Sequence, residues 1–305
     1  MFKINKLFNG NSRKVVLENE DNSTHILFDL NEGGRVESYK HLGNIIISDL
    51  EESNYKKDYA SAILFPFANR IKDGIYTYNG VSYKLLCNDV ENNNALHGLV
   101  YNKTFELLDE KVNDKIARVV LYYKENTGTD GFPFRFSIWL TYVLNSKGFS
   151  LSIKVKNDGK STFPFTLGWH PYFRSLDLKQ SQFHINAKEK FISDDRGIVK
   201  ESEKMTETLV IQFDDIQLDD AFLVSSTMAD FMTPTYRLRL EAQSKENYLQ
   251  IYTPPNSNSV AIEPMVGVSD SFNNNIGLQE LFPKEVFEKK WIIHISKTNK
   301  RLCNF

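Results

Sequence analysis

Residues 134–156 read FRFSIWLTYVLNSKGFSLSIKVK, and this stretch carries the clearest structural pattern in the chain. Every second residue from Phe134 to Leu144 is apolar, and the same alternation resumes from Phe149 to Val155 after the polar turn Asn145–Gly148. An alternation with period 2 is typical of a strand with one buried face, and a short turn that contains glycine joins antiparallel neighbours. The stretch therefore predicts a β-hairpin.

The same period recurs along the rest of the chain. It predicts strands at 237–242 and 248–252, and the dense β-branched run 116–123 predicts a strand covered on both faces. Asn79-Gly80, between two short alternating runs, predicts a two-residue hairpin turn. Helical patterns are confined to two short segments, 58–64 and 277–281. Together these patterns predict an all-β protein, a large antiparallel β-sandwich with few short helices.

The composition is that of an ordinary globular chain. Of its 305 residues, 41% are hydrophobic and 25% are charged, and the net charge is -2. Acidic and basic residues are interspersed, which disfavours nucleic acid and membrane surfaces as partners. No repeat, low-complexity tract or composition shift marks a linker, so we expect a single domain over residues 1–305.

Export and metal-binding signals are also missing from the sequence. The polar start, 1–14, lacks the apolar stretch of about 7–15 residues that a secretory signal needs. No apolar run approaches the roughly 18 residues of a membrane span. Cys87 and Cys303 lie far apart and outside any CxxC motif, which indicates neither a zinc site nor a disulfide. We therefore expect a cytoplasmic protein with two reduced thiols.

One histidine stands out from the other five. His170 lies in Leu167–Phe173, and Pro171 disfavours helical backbone at the residue before it. The strand should therefore end by presenting an imidazole, which titrates near neutrality, among aromatic side chains. Those rings suit the C–H faces of a sugar, although a histidine satisfied in an aromatic core corner is the alternative. The other strand-like segments contain histidines that we interpret as structural or surface residues, namely His25, His41, His184 and His294.

Two further segments place a polar side chain beside apolar sequence. His97 lies in a polar, asparagine-rich loop beside Gly98, which permits close backbone approach. Arg70 follows the apolar run 65–68 and needs an ion pair or a polar cavity, because a buried unpaired guanidinium is costly. An ion pair within the fold is the alternative to a binding role for Arg70.

Acidic residues supply the remaining candidates. Asp214-Asp215 and Asp219-Asp220 flank a short spacer, and carboxylates in loops are usually solvated. Glu263 ends the apolar run 260–262, where desolvation would raise its pKa and suit it to general-base catalysis. A structural role for Glu263 remains the alternative.

In chain order, these segments resemble the aldose 1-epimerase family. The segments that carry the resemblance are Asn69-Arg70-Ile71 with Gly74 and the Asn-Gly hairpin, Ala95-Leu96-His97-Gly98, His170-Pro171-Tyr172-Phe173, Leu218-Asp219-Asp220-Ala221-Phe222 and Ile262-Glu263-Pro264. Each motif is short, but five in the family's order are specific, and they cover about residues 62–273.

The resemblance implies a fold, a site and a reaction. The fold would be the galactose mutarotase-like supersandwich, with the site in a cleft on one face. From the residue types alone, we expect aromatics such as Trp169, Tyr172 and Phe173 to line that cleft. Glu263 would be the general base and His170 the general acid, and the two would face each other across a gap the width of a pyranose. The sugar hydroxyls would be held by Arg70, His97 and Asp219. No metal or organic cofactor is implied, and the partner is a small-molecule sugar.

The sequence departs from the galactose enzymes of that family at two positions. Pro171 replaces a polar or β-branched residue, and Asp220 stands where a second histidine is frequent. The neighbouring aspartates leave the choice between Asp219 and Asp220 open, and galactose is not a safe choice of substrate.

Three functions fit these residues. An aldose 1-epimerase would interconvert the α and β anomers of a hexose, using one carboxylate and one imidazolium. A carbohydrate-binding protein would keep the cleft without useful turnover. A glycoside hydrolase would use Asp219 and Glu263 as its carboxylate pair, but would leave His170 and His97 without a task.

Overall fold

The alternating stretch at 134–156 folds into the expected hairpin. A computed structural model describes residues 1–51, 54–206, 208–214, 217–225, 227–243 and 247–298 of the chain. In it, strand Phe136–Asn145 pairs antiparallel with strand Gly148–Asn157, with Leu144 opposite Phe149. The alternating apolar side chains of both strands are buried, whereas Trp139 and Val143 on the other face are only partly buried, so the alternation marks the core face.

The described residues form 27 strands and three short helices. In chain order the strands are Phe2–Asn9 (β1), Ser12–Asn19 (β2), Thr24–Asp29 (β3), Arg35–His41 (β4), Asn44–Ile47 (β5), Ile63–Leu64 (β6), Arg70–Lys72 (β7), Ile75–Tyr78 (β8), Val81–Lys84 (β9), Asn94–Leu96 (β10), Glu106–Val112 (β11), Ile116–Glu125 (β12), Phe136–Asn145 (β13), Gly148–Asn157 (β14), Phe163–Phe165 (β15), Leu167–Trp169 (β16), Tyr172–Arg174 (β17), Gln182–Ser193 (β18), Val199–Lys204 (β19), Thr208–Gln212 (β20), Asp219–Val224 (β21), Met228–Met232 (β22), Tyr236–Ala242 (β23), Asn247–Tyr252 (β24), Ser259–Val266 (β25), Gln279–Leu281 (β26) and Val286–Lys297 (β27). The α-helices are Tyr55–Asp58 (α1) and Ser271–Asn274 (α2), and Leu178–Gln180 forms one 3₁₀ turn.

Antiparallel pairing arranges most strands in two large sheets. The first sheet runs β11-β12-β13-β14-β27-β23-β22-β18-β20. The second runs β1-β2-β3-β4-β5-β17-β25-β24-β21-β18-β19. Strand β18 belongs to both, since its first half pairs with β20 and β22 and its second half with β19 and β21.

The sheets pack face to face through large aromatic side chains. Phe28 of β3 contacts Tyr142 of β13, with ring centroids 4.4 Å apart, and Tyr39 of β4 contacts Phe149 of β14 at 5.0 Å. All four rings are buried and belong to one continuous core. Buried aromatic pairs contribute about 0.5–1.5 kcal/mol beyond the area that they remove from water. The predicted all-β antiparallel sandwich with few short helices is confirmed.

The strands predicted from alternation are also confirmed, whereas both predicted helices are wrong. Helix α1 ends at Asp58 because Tyr59 adopts a left-handed backbone with φ +53°, and 63–64 is a strand. Residues 279–281 form β26, which pairs with β15 and buries Leu281. Cross-strand hydrogen bonds and burial outweigh a weak helical preference in such short segments.

Two further observations concern membrane-spanning helices and the predicted residues Cys87, Cys303 and Asp215. Among the described helices, none is long and apolar enough to cross a bilayer. Cys87 is a partly buried free thiol, while Cys303 and Asp215 lie outside the described residues.

Three neighbouring strands of the second sheet bring polar side chains to one face. In the register, Gln250 of β24 lies opposite Glu263 of β25, and Tyr252 of β24 lies opposite Asp219 of β21. Because side chains at i and i+2 of a strand share a face, Gln250 and Tyr252 point the same way. Glu263 and Asp219 therefore lie on the face of the sheet that these two residues share.

Candidate active site

His170 lies at the break between β16 and β17, where the chain leaves one strand and enters the next. Its backbone is fixed on both sides, because its N–H donates to Ala62 O at 3.0 Å and its carbonyl accepts from Ser61 N at 2.7 Å. Pro171 has no N–H to donate, but its carbonyl accepts from Ile262 N at 3.3 Å. This last bond ties the turn that carries His170 to the strand that carries Glu263.

Glu263 and His170 touch each other directly. The distance between His170 Nε2 and Glu263 Oε1 is 3.3 Å, and only 5% of the histidine and 2% of the glutamate are exposed. The expected gap of pyranose width between them is therefore wrong. The bond between Ile262 and Pro171 draws the two segments together.

A cavity of about 180 Å³ opens beside this pair, and we call it the site cavity. It is lined by Lys57, Asp58, Tyr59, Asn69, Arg70, Leu96, His97, His170, Tyr172, Asp219, Gln250, Tyr252 and Glu263. All five residues predicted from the sequence to form the site are among them. The structure thus brings together side chains from β7, β21, β25 and two connecting segments.

His97 reaches the cavity from the loop after β10. Its backbone is left-handed with φ +63°, and its N–H donates to Asn69 O at 2.9 Å. Gly98, at φ +78°, runs so close to the residue that follows β6 that a Cβ would lie 2.4 Å from Phe65 O. Glycine is therefore required at this position, and it lets the histidine ring stand edge-on to His170, with centroids 5.0 Å apart.

Arg70 and Asp219 lie in a polar network that the sequence predicts only in part. Arg70 Nη2 is 3.8 Å from Asp219 Oδ2, and Arg70 Nε is 3.5 Å from Asp89 Oδ2. Gln250 links Asp219 to Asn69, the neighbour of Arg70. Its side chain donates to Asp219 Oδ1 at 2.6 Å and accepts from Asn69 Nδ2 at 3.2 Å. Gln250 is thus a positioning residue for Asp219. Its only sequence signal is a polar residue between the apolar Leu249 and Ile251.

Burial shifts the protonation equilibria of the pair in opposite directions. Desolvation lowers the pKa of His170 to about 4, and the charge of Arg70 acts in the same direction. Desolvation raises the pKa of Glu263 well above 4.5, assisted by Asp219 and opposed by Arg70. The pKa of His97 is lowered by burial and then by its neighbours His170 and Arg70. The site therefore favours the neutral forms of all three groups.

Four buried polar atoms of the site have no hydrogen-bond partner in the described part of the chain. They are Arg70 Nε, His97 Nδ1, His170 Nδ1 and Glu263 Oε2. Leaving a buried polar atom unpaired costs about 1–3 kcal/mol, and such atoms are rare in folded proteins. Four around one cavity are typical of a functional site rather than of a structural core.

The aromatic side chains divide between cavity and core. Tyr172 lines the cavity and lies 5.0 Å from the His170 ring, as expected. Trp169 and Phe173 were expected in the cleft, but both are fully buried in the sandwich core, because alternation points them to the opposite face from Tyr172. Tyr59 was missed. Its ring packs edge-on against His97 at 4.8 Å, and no local pattern in the sequence announces it.

The two neighbouring aspartates have different surroundings. Asp219 faces the site cavity and contacts Gln250, whereas Asp220 forms an ion pair with Lys190 at 3.0 Å. Adjacent residues of β21 point to opposite faces, and of the two carboxylates only Asp219 lines the site cavity. Within the described ranges, no group of three or more His, Cys, Asp or Glu side chains is arranged to hold a metal ion.

The chain is similar in sequence to a known protein family and to individual proteins. The sequence profile of the aldose 1-epimerase family matches residues 13–294. The chain is 24% identical over 228 residues to the uncharacterized protein YihR of Escherichia coli K12, which covers 71% of this chain and 72% of that protein. It is 30% identical over 127 residues to the galactose mutarotase of Sus scrofa, which covers 41% of this chain and 35% of that protein.

A solved structure confirms the architecture. The chain superposes on a galactose mutarotase-like protein from Clostridium acetobutylicum with a TM-score of 0.83, covering 97% of this chain and 99% of that one. The sequence identity is 20%, so this similarity establishes the fold alone. The fold is the galactose mutarotase-like supersandwich.

Proposed function

Because the chain belongs to the aldose 1-epimerase family, we propose that it is an active aldose 1-epimerase, which interconverts the α and β anomers of a hexose. The observation that carries the proposal is the direct contact between His170 and Glu263 at the floor of the site cavity. Arg70, His97 and Asp219 line the same cavity and would hold the sugar hydroxyls.

The proposed reaction moves two protons at one anomeric carbon. The Glu263 carboxylate accepts the proton of the C1 hydroxyl, while protonated His170 donates a proton to the ring oxygen O5. The C1–O5 bond breaks and the C1=O1 double bond forms, which leaves a neutral carboxylic acid and a neutral imidazole. Rotation about C1–C2 presents the other face of the carbonyl to O5. Closure then reverses both proton transfers and gives the opposite anomer.

The buried site suits this sequence of steps. Ring opening converts a charged acid–base pair into a neutral one, and burial favours the neutral form of both partners. The pair holds one proton throughout, so no proton has to enter from solvent during the open-chain stage. Each positioned proton carrier typically contributes about 10²–10⁴-fold to the rate.

The two competing functions are less well supported. A glycoside hydrolase needs two carboxylates acting together on one bond. In this chain Glu263 contacts an imidazole, while Asp219 contacts an amide and a guanidinium. A carbohydrate-binding protein without turnover would use the same cavity, and only measurement separates it from an epimerase.

The test is the Glu263→Gln substitution, which keeps the shape of the side chain and removes its basicity. Equilibration of freshly dissolved α-glucose and α-galactose is followed by NMR, with phosphorylated aldoses included. The substitution should lower kcat/KM by about 10²–10⁴-fold while sugar affinity stays within a few-fold of wild type. Glu106→Gln, on an exposed position of β11, is the matched control and should change neither quantity.

Two outcomes would contradict the proposal. Wild-type protein that equilibrates none of these aldoses faster than buffer would exclude an epimerase. Equal sugar affinity of wild type and Glu263→Gln, together with that inactivity, would establish a binding protein instead.

A further inference from the structure

A second concave surface adjoins the site cavity. This side groove has a volume of about 500 Å³ and is lined mainly by the hairpin of β18 and β19 with its connecting loop, 194–198. It shares two lining residues with the site cavity, Arg70 and Asp219. The pair of Arg70 and Asp219 therefore forms the border between the two concavities, and a ligand in the site cavity lies next to the side groove.

The floor of the side groove is held in place before any ligand arrives. The Arg196 guanidinium donates to Asn92 O at 2.8 Å and to Asp73 Oδ1 at 2.8 Å. Ser269 Oγ donates to Gly197 O at 2.6 Å, which fixes the next residue of the loop. A fixed surface loses little conformational entropy on binding, as a recognition site requires.

The charges of the side groove argue against an anionic ligand. Its three cations already have carboxylate partners, since Arg70 pairs with Asp219, Lys190 with Asp220 and Arg196 with Asp73. Its exposed carboxylates at Asp195 and Glu203 have no cationic partner among the described residues. Five carboxylates therefore line the groove against three cations. This excess would repel a phosphate or sulfate, whereas carboxylate oxygens accept hydrogen bonds from hydroxyl groups.

We propose that the side groove binds a second, neutral sugar ring, linked glycosidically to the ring in the site cavity. The preferred substrate would then be a reducing di- or oligosaccharide rather than a free hexose or a sugar phosphate. This inference rests on the proposed function, because it takes the site cavity as the place of the reducing ring. The site cavity measures about 180 Å³, and the side groove, at about 500 Å³, supplies the space for a second ring.

The experiment compares substrates and blocks the side groove. Epimerisation of glucose and galactose is measured by NMR exchange beside that of neutral reducing disaccharides linked 1→3, 1→4 and 1→6. At least one disaccharide should show a kcat/KM about tenfold or more above either hexose. Ser193→Trp fills the groove and should remove that advantage while changing hexose turnover less than twofold. Ser202→Trp, an exposed position of β19 outside the groove, is the matched control and should change neither.

Binding measurements keep this inference separate from the proposed function. Calorimetry in the Glu263→Gln background reports affinity without turnover, and the disaccharide should bind at least tenfold more tightly than the hexose. If no sugar is epimerised but this preference holds, the proposed reaction is wrong and the groove assignment stands. If hexoses are epimerised but no disaccharide gains from the groove, or Ser193→Trp affects both substrates equally, the groove assignment is wrong. Glucose 6-phosphate as the best ligand would also overturn it.

Discussion

The proposed reaction depends on one proton that His170 and Glu263 hold between them. The two side chains touch at 3.3 Å, so their protonation states are coupled and belong to the pair. A second proton would leave no base for the C1 hydroxyl, and loss of the only proton would leave no acid for the ring oxygen. Activity therefore requires the pair to carry one proton, whichever residue holds it in the resting protein.

This requirement predicts an unusual pH profile. Because burial lowers the pKa of His170 to about 4, the pair takes up its second proton only near that pH. Because burial raises the pKa of Glu263, the pair keeps its proton beyond the usual carboxyl range. We therefore expect kcat/KM to remain flat through pH 6.5, the ordinary pKa of histidine, and to fall on the acid side only below about pH 5.

The measurement is NMR exchange of a hexose from pH 4 to 9, with the buffer-catalysed rate subtracted at each pH. A loss of half the activity near pH 6.5 would contradict the prediction, because it would indicate a histidine with an ordinary pKa.

The loop between β18 and β19 controls the position of Arg70. Gly197, at φ +71°, lies so close to the guanidinium that a Cβ would stand 2.6 Å from Arg70 Nη1. The nearest atoms are the end of a flexible side chain, which can move away without disturbing the backbone. The loop backbone thus acts as a wall that holds the arginine against the site cavity.

Gly197→Ala is expected to displace Arg70 and weaken sugar binding. The methyl group moves the guanidinium away from Asp219, so KM should rise about tenfold with a smaller change in kcat. The left-handed backbone adds a stability loss of about 1–2 kcal/mol. Gly80→Ala is the control, since Gly80 has φ +76° but no atom within 4 Å of its Cβ position.

Steady-state kinetics and urea unfolding measure the two effects separately. Gly80→Ala should lose similar stability and keep its KM. An unchanged KM in Gly197→Ala, or the same rise in both variants, would show that the loop does not position Arg70.

The sequence reveals the strands and the reactive residues but not how they meet. Alternation in 134–156 depends only on neighbouring positions, so the hairpin could be predicted locally. The contact of Glu263 with His170, the bridge through Gln250 and the packing of Tyr59 on His97 depend on strand register and loop conformation. The same long-range pairing makes residues 279–281 of the predicted helix 277–281 a strand. Local patterns carry no information about such partners.

Strand β18 joins the two sheets of the sandwich into one hydrogen-bonded network. Its first half pairs with β20 and β22, and its second half with β19 and β21. Neither sheet can separate from the other without breaking the pairing of this strand. The described residues of both sheets also share one core, which includes Phe28 and Tyr142. We therefore propose that residues 1–305 form a single folding domain.

A single domain predicts one cooperative unfolding transition. In differential scanning calorimetry the calorimetric and van't Hoff enthalpies should agree, and the transition should coincide by near-ultraviolet and far-ultraviolet circular dichroism. Two resolved transitions, or a calorimetric enthalpy well above the van't Hoff value, would indicate separately folding units.

The hairpin of β18 and β19 also has a meaning for how such proteins diversify. Its loop joins adjacent antiparallel strands, so residues can be added to or removed from 194–198 without shifting the register of either strand. Neither Glu263 on β25 nor His170 before β17 lies on this hairpin. Substrate preference can thus change through the other four positions of this loop while Gly197 keeps Arg70 in place, and laboratory evolution can begin from those four codons.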